Sequence, residues 1–112
     1  MKRTNLGEFE ELVLLTVSVL FQQAYGISIK EEIEKQTGRN ISISAIHSVL
    51  NRLERKGFVV SHMGGTTQER GGRRKRFFKV TSSGQQALLE VRTIREKLWK
   101  LIPDISFEGG AR

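Results

Sequence analysis

Between Ser28 and Gly57 the sequence sets out two short helices in succession, each opened by a serine and closed by a glycine, with a short polar turn between them. In Ser28-Ile29-Lys30-Glu31 the serine oxygen is placed to accept an early backbone N–H and the glutamate to reach back, which reads as a capping box. Ile29 and Ile33 face inward, and the helix ends near Thr37 with Gly38 as its C-cap. After Gly38-Arg39-Asn40, Ser42 caps the next helix, in which Ile43, Ile46, Leu50 and Leu53 recur at helical spacing until Gly57 closes it. A longer helix precedes both, from about Leu6 to Gln22. Its stripe of Phe9, Leu12, Val13, Thr16, Val17 and Leu20 is backed by Leu14, Leu15, Val19 and Phe21 on the other side. A helix apolar all round is buried all round, so one face packs on the domain and the other needs a further partner. Two short helices joined this way behind a longer one are the elements of a helix-turn-helix.

Downstream, Phe58-Val59-Val60-Ser61-His62-Met63 and Arg76-Phe77-Phe78-Lys79-Val80-Thr81 are rich in strand formers. The segment from Gly64 to Arg74 between them carries glycines and polar residues and predicts a loop. The pair forms a two-stranded β-hairpin with a basic tip, a wing. A last helix runs from about Ser83 to Ile102 and stops at Pro103. On it Ala87, Val91, Ile94, Leu98 and Leu101 are spaced as the seam of a coiled coil. The expected fold class is α+β, mostly α. Residues 1–81 form a winged helix-turn-helix, 82–103 a C-terminal dimerisation helix, and 104–112 a flexible tail.

Charge is segregated along this plan. The 112-residue chain has a formal net charge of +7. The excess sits between Arg52 and Lys79, where Arg52, Arg55, Lys56, Arg70, Arg73, Arg74, Lys75, Arg76 and Lys79 are opposed by Glu54 and Glu69 alone. A basic patch of this kind suits a polyanion; the plainer account is a loop kept soluble by charge. With no cysteine there is neither a disulfide framework nor a thiolate metal site. No apolar run approaches the roughly 18–20 residues of a membrane span. The acids Glu8, Glu10 and Glu11 ahead of Leu12–Phe21 do not suit a secretory signal, so a cytoplasmic location is expected.

The outward face of the third helix holds Ser44, Ser48, Asn51, Arg52 and Arg55, with Ser42 at its start and His47 at the border of the apolar face. Small hydroxyls near a helix N-terminus let it sit deep in a major groove. Asparagine pairs with adenine, and arginine with guanine or phosphate. An ordinary solvated face would use the same residue types, and the adjacent wing favours the recognition reading. In the wing, Arg70, Arg73, Arg74, Lys75 and Arg76 are placed to meet phosphates, which provide affinity more than sequence preference. Strand alternation sets Arg74 and Arg76 opposite Lys75, so all five cannot meet one DNA surface.

Four stretches carry a family resemblance: Leu6-Gly7-Glu8-Phe9-Glu10, Tyr25-Gly26-Ile27-Ser28-Ile29, Leu50-Asn51-Arg52-Leu53-Glu54-Arg55-Lys56-Gly57 and Arg76-Phe77-Phe78-Lys79-Val80-Thr81. In this order they resemble the PadR family of transcriptional regulators, in its short form with a single C-terminal helix. The resemblance implies a homodimer that binds inverted-repeat operator DNA, usually as a repressor, and in some members lets go when a small apolar or aromatic molecule binds. It also implies a tyrosine where His47 stands, and often two tyrosines where Phe77 and Phe78 stand. Trp99 matches the aromatic that lines an effector pocket in some relatives; interface packing explains it more simply.

No histidine has metal-ligand spacing, no nucleophile has a base partner, and the glycines near Arg70 lack a nucleotide-loop context. Neither a metal, a cofactor nor an enzymatic activity is expected. An RNA-binding winged helix and a protein-interaction module remain the alternatives.

Overall fold

The computed structural model describes residues 6–66 and 74–104, with backbone alone at 65 and 66. Helix α1 spans Glu8–Leu20, with Glu8, Glu10 and Glu11 in its first turn, where the helix dipole favours acids. It ends at Phe21, which takes a φ of 55° and opens a 3₁₀ turn over Phe21–Gln23. The expected continuation of α1 to Gln22 is thereby cut short.

Helix α2, Gly26–Thr37, starts earlier than the expected capping box allows. Ser28 is not its N-cap but its third helical residue. Its hydroxyl accepts from the Tyr25 N–H at 2.9 Å and donates to the Gln23 carbonyl at 2.6 Å. The cause is tertiary. The Phe78 N–H donates to the Ala24 carbonyl at 2.8 Å, and Tyr25 forms an antiparallel bridge with Phe77. The wing thus holds the chain extended up to Tyr25 and lets the helix begin at once.

Gly38 closes α2 at a φ of 74°, a left-handed conformation that costs glycine nothing. Helix α3, Ile43–Arg55, begins as expected at Ser42, whose hydroxyl accepts from the Ala45 N–H at 3.1 Å. Strands β1 (Val59–Thr66) and β2 (Arg74–Val80) follow, antiparallel, with Val59 opposite Val80 and His62 opposite Phe77. Both reach further into the hairpin than strand propensity indicated. Helix α4 spans Ser82–Leu101, and Thr81 caps it by accepting the Gly84 N–H at 3.0 Å.

The core gathers Val13, Leu14 and Val17 of α1, Ile29 and Ile33 of α2, Ile46, Val49, Leu50 and Leu53 of α3, and Val59 and Phe78 of the wing. These elements make a winged helix-turn-helix. The root of α4 is locked onto it: a Cβ at Gly84 would lie 2.3 Å from the Phe58 carbonyl oxygen, so only glycine fits there. Beyond Val91 the helix leaves the core. The radius of gyration is accordingly 17.2 Å, against about 13 Å for a compact chain of this length.

Candidate nucleic-acid interface

Helix α3 is amphipathic, with its apolar residues turned into the core. Ser42, Ser44, His47, Ser48, Asn51, Arg52 and Arg55 are all exposed. They do not all point to the same task. Ser42 serves as the cap. The His47 ring lies against the start of α2, where a Cβ on Gly26 would come within 2.9 Å of its Cε1. Glycine at 26 therefore makes room for the histidine.

Arg52, though exposed, is tied to α1. Its Nε donates to Glu10 Oε2 at 3.0 Å, while Lys56 Nζ donates to Oε1 of the same carboxylate at 2.8 Å. The Gly7 N–H also donates to Oε1, at 2.8 Å. Burial of the Glu10 carboxyl pushes its pKa up, but the bonds from Lys56, Gly7 and Arg52 outweigh this and hold it at about 2. Ser44, Ser48, Asn51 and Arg55 are left along the open side of the helix.

The wing splits its bases between two faces, as strand alternation requires. Lys75 Nζ lies 4.2 Å from the centre of the Tyr25 ring, a cation–π contact. Tyr25 meets Phe77 edge-on at 5.4 Å, and His62 stacks on Phe77 at 5.8 Å. Arg76 turns back over Phe78 toward α3. Its Nη2 donates to Glu54 Oε1 at 2.6 Å and its Nε to Ser61 Oγ at 3.1 Å; Ser61 in turn donates to Glu54 Oε2 at 2.9 Å. This network braces the wing against the third helix. Arg74 is exposed near the tip. Arg70 and Arg73 lie outside the described residues.

Residue-by-residue reading of the sequence did not single out Glu10 or Glu54. A signal for Glu10 existed: it lies on the stripe of Val13, Val17 and Leu14 that α1 buries, and a carboxylate there requires cationic partners. Glu54 carried no such mark.

The expected seam on α4 is shorter than its spacing suggested. Ala87 is only 3% exposed within its own chain and is not available to a second copy. The reason is the docking of the α4 root, which buries the first seam position. Val91 is half-buried, while Ile94, Leu98 and Leu101 are exposed. Leu15 and Val19 of α1 are exposed as well. Between α1 and α4 runs an open groove of about 740 Å³ lined by Leu15, Leu88, Leu89, Arg92, Arg95 and Trp99, among others. Arg95 reaches across it to Glu11 at 2.9 Å. Among the described residues no helix is long and apolar enough to cross a membrane, and there is no group of three or more potential metal ligands.

The model of the transcriptional regulator PadR-like family matches residues 14–90. No curated protein matches the sequence. Solved structures share the fold. A PadR-like transcriptional regulator of Bacillus cereus superposes with a TM-score of 0.67 at 16% identity, covering 82% of this chain and 84% of its own. A PadR family regulator of Clostridium difficile gives 0.63 at 22% identity, with 84% and 92% covered. A protein of Streptococcus mutans gives 0.63 at 24% identity and covers 98% of both chains, including the last helix.

Proposed function

Since the chain belongs to the PadR-like family of transcriptional regulators, which act by binding DNA, we propose that it is a homodimeric repressor of an inverted-repeat operator. The observation that carries this reading is the exposed polar side of α3, with Ser44, Ser48, Asn51 and Arg55, set beside a basic wing braced to it through Glu54. The helix enters the major groove, where Asn51 and the serines meet base edges and Arg55 a guanine or phosphate. Arg74, exposed near the tip of the wing, lies along a flanking phosphate. The exposed residues of α4, with Leu15 and Val19 of α1, pair with a second copy, which sets two recognition helices about one helical turn of DNA apart. The groove beside Trp99 suits a small planar aromatic effector that alters this pairing and releases the operator.

Selection from random duplexes should return half-sites separated by about 10 base pairs, and binding should weaken steeply with salt. Asn51→Ala is expected to cost about 1–3 kcal/mol on the selected operator and almost nothing on random DNA; equal losses on both would remove Asn51 from base reading. Leu98→Glu should give a monomer in sedimentation and lose cooperative operator binding. A dimer that persists in that variant places the interface elsewhere.

A further inference from the structure

The geometry points to Glu10 as a positioning residue for the DNA-reading helix, which holds Arg52 and Lys56 on the protein so that neither serves as a phosphate ligand. Both belong to the basic patch and sit on or next to α3, where charge alone would assign them to DNA. The contacts argue otherwise. The Glu10 side chain is only 8% exposed, and each of its oxygens receives a cation within 3.0 Å. Compare Glu8 with Arg39, a pair at 3.1 Å: Arg39 and Arg52 are equally exposed, at 45%, but the Glu8 side chain is 68% exposed where that of Glu10 is buried. That pair can open into water at little cost. Arg52 and Lys56 cannot turn to a phosphate without weakening the neutralisation of a carboxylate that is already dehydrated, and a buried unpaired charge is strongly unfavourable.

The clamp also has a mechanical meaning. It ties the last turn of α3 to the first turn of α1, over 42 and 46 residues of sequence. The tilt of the helix in the groove is then set by the protein rather than by the phosphate backbone. Sequence reading falls to the open side of α3, and the affinity that is indifferent to sequence falls to Arg55 and the wing.

This inference rests on the DNA-binding function proposed above, and the slope of log affinity against log salt separates the two. Each phosphate contact removed lowers that slope by roughly 0.9. Arg52→Gln with Lys56→Gln, and Arg52→Gln alone, which leaves Lys56 on Glu10, are expected to keep the wild-type slope on random duplex DNA. Arg55→Gln is expected to flatten it. Glu10→Gln, nearly the same shape without the charge, should steepen the slope as its two cations turn outward, and should narrow the ratio of operator to random affinity. A flattened slope in Arg52→Gln, or an unchanged slope in a folded Glu10→Gln chain, overturns the clamp. Wild-type protein that binds no duplex DNA overturns the proposed function, and the clamp's role with it.

Discussion

Phe78→Ala should bring the domain close to unfolding at room temperature. Phe78 is the largest fully buried side chain, 2% exposed, and it joins the wing to the three helices of the core. Its removal costs about 3–5 kcal/mol, a cavity that only partly collapses adding to the lost transfer energy. Small domains have roughly 5–15 kcal/mol in total. The melting temperature should fall by roughly 15 °C or more. The wing should suffer first, because the backbone of the same residue donates to Ala24 and its ring lies 5.1 Å beneath the Arg76 guanidinium. Thermal unfolding followed by circular dichroism measures this directly. A loss below about 1 kcal/mol would mean that the wing packs on the helices by other contacts.

Acid should destabilise the protein chiefly through Glu10. Its folded-state pKa is lowered from 4.5 to about 2. A carboxyl depressed in this way contributes stability that is fully present above pH 4.5 and disappears as pH falls toward 2, where the folded form must also take up the proton. The amount is at most roughly 3 kcal/mol. Urea unfolding at a series of pH values should show the decline between pH 5 and 2. Glu10→Gln should be less stable than wild type at pH 7 and should lose most of the pH dependence over that interval. A variant that kept the wild-type slope with pH would transfer the effect to other carboxylates. Glu34 is one such group, lowered first by the Ile41 N–H and then by Lys30, and it is half-buried.

The elements of local chemistry were legible in the chain. Gly38, Ser42 and Gly57 mark helix ends because left-handed backbone and free N–H groups are satisfied by neighbours a few residues away. The apolar face of α3 follows from period alone, and its exposed face is the complement. Ser28 was misread for the opposite reason. A serine followed three residues later by glutamate is a sound cap signal, but the start of α2 is set by pairing of Tyr25 with Phe77, far off in sequence. Ala87 failed similarly. It has the spacing of a heptad position, yet with Gly84 docked on Phe58 that first position is buried in the chain's own core.

The existence of the two short helices before Gly57, their glycine ends at Gly38 and Gly57 and the serine cap of the second can be read from residues alone, and so can the concentration of positive charge from Arg52 to Lys79. Only the tertiary structure decided which of those charges are tied to acids. Arg52 and Lys56 go to Glu10 and Arg76 to Glu54, although all three remain exposed, as Arg55 and Arg74 are. The physical reason is range. Periodicity and capping act over one or two helical turns, whereas a buried carboxylate takes whichever cations the packing of distant elements brings within about 3 Å, a charge-assisted bond length.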